Sequence, residues 1–320
     1  MMTSEATVNE VAMSPQELAE ALRGVLSAVS VVRENEPLAR RTTMRVGGSA
    51  DVWVEPADEQ DLSCLLSLIS KKSLPVLVIG RGSNLLVRDG GVRGVVVSLA
   101  QPHFSRVVLK GGRLHCGAGV RLKAVAIEAR KHGLAGLEFL EGIPGSVGGA
   151  LRMNAGAHGG STFGAVAEVR MLDMQGVVQV MTGDKMDAVY RSCPMLKRHV
   201  AVEAVFFGQP CESPVIDQRM KEFNEKRWAS QPAAPSAGCV FKNPDSISAG
   251  KLVDELGFKG VRVGGAMASQ EHGNFIVTNS TATAADVLEL IDRIKQEARV
   301  QRGVELQTEV QIVGEEGPHS

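Results

Sequence analysis

Three side chains stand apart by type and setting. Cys239 sits in Pro235-Ser-Ala-Gly-Cys-Val-Phe-Lys-Asn-Pro244, a small-residue turn after proline punctuation, with Lys242 close by. A nearby cation can lower a thiol's pKa or bind an acid, although a buried, inert cysteine is the commoner fate. Tyr190-Arg191-Ser192 could set a guanidinium against a carboxylate. As an isolated motif it reads equally as a surface arginine. Glu309 falls on the polar side of an alternating run, where a solvated edge is the plain reading. Two glycine-rich loops, Gly80-Arg-Gly-Ser-Asn84 and Gly142–Gly149, complete the set. Backbone N–H groups in such loops can cradle a pyrophosphate, and Ser83, Asn84, Ser146 and Asn154 could add hydrogen bonds. Tight turns alone would also account for the glycines.

Several chemistries are excluded by what is missing. The Gly80 loop follows an apolar run but lacks the third glycine of a GxGxxG fingerprint. There is no GxxxxGK[ST] loop, no HExxH, no GxSxG elbow, and no metal-ligand spacing among the seven histidines, so no metal is expected. The 320 residues carry a formal net charge of -1, which gives no global attraction for nucleic acid or anionic lipid. Aromatic residues are too sparse for a base-stacking platform. Five cysteines without a CxxC pair (Cys64, Cys116, Cys193, Cys211, Cys239) read as reduced thiols of a cytoplasmic protein. The first residues show no signal peptide, and no apolar stretch reaches the roughly 20 residues of a membrane span. Glycine is in excess, with 35 residues, as in chains that bring backbone close to a ligand.

The elements that must position these residues alternate helix and strand. Residues before Ser14 read as a polar tail. Ser14, Pro15 and Glu17 form a capping box opening a helix with Leu18, Leu22 and Val25 on one face. Ala50–Val54 reads as a strand, Asp58–Ser70 as a helix apolar at Leu62, Leu65, Leu66 and Ile69, and Leu74–Ile79 as a buried strand. Gly94–Leu99 is a further strand and Val120–His132 a helix. Val166–Leu172 and Val177–Met181 form a hairpin, followed by a strand over Ala201–Phe207. Composition shifts at Gln209–Pro214, where Ser213 reads as the cap of a charged helix. Thr283-Ala-Ala-Asp286 opens another, closed by Gly303. From Val304 to Ile312 the residues alternate as a strand.

In order, Thr43-Met-Arg-Val-Gly-Gly48, Gly80-Arg-Gly-Ser-Asn-Leu85, Gly142-Ile-Pro-Gly-Ser-Val-Gly-Gly149, Met153-Asn-Ala-Gly156, Tyr190-Arg-Ser192, Ser236-Ala-Gly-Cys-Val-Phe-Lys-Asn-Pro244 and Glu309-Val310 resemble the UDP-N-acetylenolpyruvoylglucosamine reductase (MurB) family, in its shorter subclass. The resemblance runs from about Pro37 to Gly314. It implies an α+β fold: an FAD-binding domain of the vanillyl-alcohol-oxidase/PCMH type plus a smaller α+β substrate-binding domain. The implied division is an N-terminal tail and helix (1–30), the FAD-binding domain (31–212), the substrate-binding domain (213–303) and a final strand returning to the active site (304–320). Implied FAD contacts are Gly80, Arg81, Gly82, Ser83, Asn84, Leu85, Gly145, Ser146, Val147, Gly149, Ala150, Asn154 and Gly156. Lys226, Arg227 and Asn243 match substrate positions. Arg191 and Glu309 match the catalytic arginine and glutamate, and Cys239 occupies the proton donor's position, where the family usually has serine.

What the resemblance implies chemically is NADPH-dependent reduction of UDP-N-acetylglucosamine enolpyruvate to UDP-N-acetylmuramate through FAD, a step of peptidoglycan precursor synthesis. The partners are then small molecules, with no nucleic acid, membrane or obligate protein among them. Three rivals make different predictions. Another FAD oxidoreductase on the same scaffold would use a different acceptor. A transferase with Cys239 as nucleophile would be colourless. A non-catalytic binding protein would hold flavin without turnover.

Overall fold

The capping box at Ser14 forms as its sequence predicts: the Ser14 hydroxyl accepts from the Glu17 N–H, and the Glu17 carboxylate reaches back to the Ser14 N–H. In the computed structural model, which describes residues 13–317, this opens helix α1 (Pro15–Arg23). The expected tail lies, for residues 1–12, outside the described residues. The helix stops at Gly24, so Leu18 and Leu22 are buried while Val25, past its end, is exposed.

Helix α2 (Glu59–Lys71) packs beside α1 on a four-stranded sheet. Its strand order is Val31–Pro37, Ser49–Glu55, Val92–Ser98, Val76–Ile79; the first pair is antiparallel and the rest parallel. Leu62, Leu65, Leu66 and Ile69 meet Val52, Val54, Val95 and Val97 on that face. Trp53, Val96, Leu38 and Val87 fill the other. The apolar run ending at Ile79 is not the buried strand its composition suggests. It forms the sheet's outer edge and leaves Val78 42% exposed. Continuous apolar character cannot tell an edge from a centre, because position in the sheet is a tertiary property.

The next core belongs to a five-stranded antiparallel sheet, ordered Val178–Thr182, Val166–Asp173, His199–Phe206, Arg113–Gly117, Val107–Lys110. Helices α3 (Leu122–Lys131), α4 (Val147–Met153) and α5 (Ser213–Ser230) share its core through Val125, Leu151, Ile216 and Met220. Ser213 is not the cap of α5. Glu212 holds that position, and the Ser213 hydroxyl donates to the Arg130 carbonyl at the end of α3 instead.

The C-terminal core packs α6 (Ala249–Glu255) and α7 (Ala284–Arg302) on an antiparallel sheet ordered Ser236–Cys239, Phe275–Thr278, Ala266–Ala268, Arg262–Val263. The capping box of Thr283 and Asp286 and the left-handed Gly303 bound α7. Only Gln311–Val313 of the last alternating run joins a ladder, parallel to Leu85–Val87. Leu306 and Val310 are still buried, so the alternation reports burial without continuous pairing. Asp89, from the first part of the chain, accepts from the N–H groups of Ala284 and Ala285 at 2.9 Å each. Asp89→Ala is expected to lower unfolding free energy by about 1 kcal/mol, the typical worth of an N-terminal cap. Asp89→Asn should retain most of it, as read from denaturant midpoints.

Candidate active site

Both glycine loops reach one place. Gly80 closes the edge strand, and a Cβ there would lie 2.5 Å from Ser146 Oγ and 3.8 Å from Gly149. Gly82, at φ +61°, would meet the Arg41 carbonyl at 2.4 Å. A side chain at either position would collide with its neighbours. Ser83 faces Gly145 across the gap. Ser146, Val147 and Ala150 are buried beneath the second loop, whereas Arg81 is exposed. Exposed by area, its guanidinium is still partly desolvated by the loop, and with the neighbouring Arg121 charge this lowers the Arg81 pKa.

Asn84 joins this wall to the chemistry. Its Nδ2 donates to the Glu309 carbonyl at 3.1 Å, and the Gln311 N–H donates to the Asn84 carbonyl at 3.0 Å. The Glu309 N–H donates to the Val240 carbonyl at 2.7 Å, which places Glu309 beside the Cys239 turn. Arg191 then reaches Glu309, its Nε donating to Oε1 at 2.8 Å, with side-chain exposures of 24% and 15%. Arg191 holds φ at +56°, uncommon for a residue with a Cβ, and its guanidinium lies 4.9 Å from the Tyr190 ring. Asn154, left-handed at the end of α4, donates to the Val189 carbonyl. Gly156 backs the guanidinium, since a Cβ there would sit 3.4 Å from Arg191 Nη1.

Burial raises the Glu309 carboxyl above its ordinary range, against the pull of Arg191 and Lys242. Burial, reinforced by the Glu309 charge and opposed by Arg191, pushes the half-buried Cys239 thiol from 9.0 up to about 12. Cys239 therefore rests as a thiol, the form that can give a proton. Its thiolate fraction should be lower than that of a free cysteine by about three orders of magnitude at neutral pH. Peptide-resolved iodoacetamide labelling of the native protein should find Cys239 slow at pH 7–9 and still accelerating above pH 9. Rapid labelling at pH 7 would contradict this.

The residues that the family resemblance puts on the substrate side are less concentrated. Lys226 and Arg227 lie on the last turns of α5. His158 stacks on Phe223 at 4.2 Å, and its pKa is lowered by burial and by Lys226. Arg227 is desolvated and pulled the other way by Glu141. These cations thus border the Glu141–Gly142 end of the second loop. Asn243 is exposed, and its Oδ1 accepts from the Ala249 N–H at the start of α6. The sequence reading missed Thr42: its Oγ1 is the one buried side-chain polar atom among the described residues without a hydrogen-bond partner. No local motif marks it. Among the described residues there is no cluster able to hold a metal, and no helix long and apolar enough to cross a membrane.

An α+β scaffold with two converging glycine loops beside a half-buried arginine, glutamate and thiol defines a cofactor-dependent enzyme of the FAD-binding-domain class. Residues 50–182 match the family model described as "FAD binding domain", and residues 231–313 that of "UDP-N-acetylenolpyruvoylglucosamine reductase, C-terminal domain". The chain belongs to the UDP-N-acetylenolpyruvoylglucosamine reductase (MurB) family. It is 46% identical to the protein of that name from Geobacter metallireducens, over 89% of this chain and 95% of the relative. The Bacillus subtilis protein is 42% identical, over 89% and 95%. The crystal structure of the Thermus caldophilus reductase superposes with a TM-score of 0.78 at 38% identity, covering 88% of this chain and 99% of that one.

Proposed function

We propose that the protein reduces UDP-N-acetylglucosamine enolpyruvate to UDP-N-acetylmuramate with NADPH, through bound FAD, in the cytoplasmic synthesis of peptidoglycan precursor. The observation that carries the reading is the Arg191–Glu309 ion pair held beside Cys239 by Asn84 of the first glycine loop. FAD is the cofactor that the matched domain implies, and the two glycine loops that would supply backbone N–H groups to it converge, with Gly80 against Ser146 and Ser83 facing Gly145. The residues proposed to hold it are Gly80–Leu85, Gly145–Val147, Gly149, Ala150, Asn154 and Gly156. The chemistry that bound FAD supplies is two-electron carriage from NADPH to the enolpyruvyl double bond.

The chain's own groups do the rest. Arg191 gives its Nε to Glu309, which leaves both Nη groups for the substrate carboxylate. That preorganised cation stabilises the negative charge that develops as hydride adds to the vinyl CH2 carbon. Glu309 holds the guanidinium in place through that contact, and burial raises its carboxyl pKa against the pull of Arg191 and Lys242. Cys239 Sγ–H delivers the proton to the neighbouring carbon as general acid. Lys226 and Arg227 would meet the nucleotide portion, and Asn243 would complete that side. In domain terms, residues 31–212 would form the FAD-binding part and 213–303 the substrate-binding part, with α5 packed on the former.

A nucleophilic role for Cys239 is disfavoured, because a nucleophile needs a depressed thiol pKa and this one is raised. The test is an anaerobic spectrum of the purified protein. NADPH should bleach the band near roughly 450 nm, the absorbance of the oxidised flavin itself. The enolpyruvyl UDP-sugar should then restore it. Bleaching without recovery would mean another electron acceptor. A colourless protein that cannot be reconstituted with FAD would sink the reading.

A further inference from the structure

Asn274 is 2% exposed, stands just before the strand Phe275–Thr278, and falls in none of the ordered motifs. Its Oδ1 accepts from the Phe241 N–H at 2.8 Å, and its Nδ2 donates to the Phe241 carbonyl at 2.7 Å. Its own carbonyl accepts from the Val240 N–H at 2.8 Å. One residue thus grips the main chain of the two residues that follow Cys239. Regular pairing with Phe275–Thr278 ends at Cys239, opposite Phe275. The Asn274 amide continues it, because it offers one acceptor and one donor as a peptide does. A carboxylate, which only accepts, would set an oxygen against the Phe241 carbonyl. Val240 and Phe241 are buried, so water has no access to replace these bonds. The opposite edge of the segment meets the end of the chain. The Val240 carbonyl accepts from the Glu309 N–H at 2.7 Å and the Val310 N–H at 3.3 Å, and the Lys242 N–H donates to the Gln307 carbonyl at 2.9 Å. Residues 239–242 are therefore held between Asn274 and residues 307–310. Asn274 is anchored in turn. Its N–H donates to His272 Nδ1 at 3.1 Å, and burial, with the charge of Lys259, lowers the His272 pKa and keeps that nitrogen free to accept.

We propose that Asn274 is a positioning residue for the proton transfer: its amide sets the main chain of residues 239–241, and so the place of Cys239 Sγ relative to Glu309 and Arg191. The amide bonds main-chain atoms of Phe241, so it acts through Cys239 and not on the substrate. This rests on the reading of Cys239 as general acid and names the group that aims it. Misplacing a reacting group by about 1 Å can cost roughly a hundredfold in rate, which gives a clamp two residues from the acid its leverage. Reduction of flavin by NADPH does not use Cys239 and should not sense the clamp.

Stopped-flow reoxidation of the reduced, FAD-loaded full chain by the enolpyruvyl substrate would be compared for wild type, Asn274→Leu, Asn274→Asp, Cys239→Ala and the Cys239→Ala/Asn274→Leu double variant. Asn274→Leu should slow reoxidation about 10- to 100-fold and leave reduction by NADPH at the wild-type rate. In the Cys239→Ala background it should add less than about twofold, since residues that act through one group are not additive. Asn274→Asp should be slow at neutral pH and recover toward wild type in acid, where a protonated carboxyl again offers one donor and one acceptor. Rates are taken relative to wild type at each pH, so that His272 and Glu309 titrate in both. Thermal melting and flavin content identify a variant that does not fold, and if Asn274→Leu is one, the acid recovery of Asn274→Asp decides. A wild-type rate in Asn274→Leu, slowing of equal size in both backgrounds, or an Asn274→Asp that stays slow in acid would overturn the proposal. Wild-type reoxidation in Cys239→Ala would remove the general-acid reading itself, and the proposal with it, a result separate from any Asn274 effect.

Discussion

Cys239→Ala is expected to leave flavin reduction by NADPH at its wild-type rate and to slow reoxidation by the enolpyruvyl substrate about 10²–10⁴-fold, the usual worth of a positioned general acid. In the proposed mechanism hydride and proton add to adjacent carbons, and without Cys239 the unprotonated adduct would return its hydride, so net reoxidation slows while reduction by NADPH does not. Stopped-flow absorbance resolves the two halves. Cys239→Ser should retain substantial turnover, since a hydroxyl in the same place can still carry a proton. The exchange has an asymmetry: a thiol is a much stronger acid in water, but burial and Glu309 raise this one to about 12, which narrows its advantage over serine. A second consequence is chemical, since oxidation by peroxide needs the thiolate, which this raised pKa suppresses. Brief peroxide treatment at neutral pH should therefore leave reoxidation in the wild type as unaffected as in Cys239→Ser. Wild-type reoxidation in Cys239→Ala would show that the proton comes from elsewhere.

Arg191→Ala should slow the same half-reaction about 10²–10³-fold, the effect of removing one preorganised donor from a developing anion. It should also destabilise the fold, because Glu309 keeps its burial and loses its partner. Breaking an enclosed ion pair costs about 3–5 kcal/mol, and with Arg191 24% exposed the expected loss is smaller, about 1–3 kcal/mol. The pH dependence has a definite sign. The folded-state pKa of Glu309 is already raised, so its protonated form favours the fold below the unfolded pKa, and that contribution is lost as pH rises through the folded pKa. Removing Arg191 raises the folded value further. The variant's stability deficit should therefore be smallest in acid and grow toward neutral pH. Adding Glu309→Gln should restore stability without restoring turnover. A single variant that reoxidised normally would show that the charge is stabilised by another group.

The helices were the most legible part of the fold, because their signals are local. The Ser14 and Thr283 boxes and the αL Gly303 lie within a few residues of the bonds they make. Ser213 failed for the same reason in reverse: its hydroxyl found the Arg130 carbonyl, 83 residues away, before its own helix. The edge position of Val76–Ile79 and the brief pairing of Gln311–Val313 depend on which strands lie alongside. The site was legible only in pieces. Arg191 and Glu309 are 118 residues apart, and single-residue patterns made each look like solvated surface. The ordered set of motifs linked them. Thr42 gave no signal at all, since an unpaired buried hydroxyl exists only once the chain has folded around it.

The parallel pairing of Leu85–Val87 with Gln311–Val313, together with the Asn84 contacts to residues 309 and 311, also sets a timetable. A ribosome delivers this chain from the N-terminus at about 5–20 residues per second. The first glycine loop then waits roughly ten seconds or more for the segment that completes it. Until that segment emerges, Leu85–Val87 lacks the neighbour that covers it, and Asn84 has no Glu309 to hold. An unpaired strand edge of this kind is open to wrong partners. Completion of the proposed site thus waits on the emergence of residues 309–313, and a nascent chain stalled short of residue 309 would contain both glycine loops without the Asn84–Glu309 contact that joins them to Arg191.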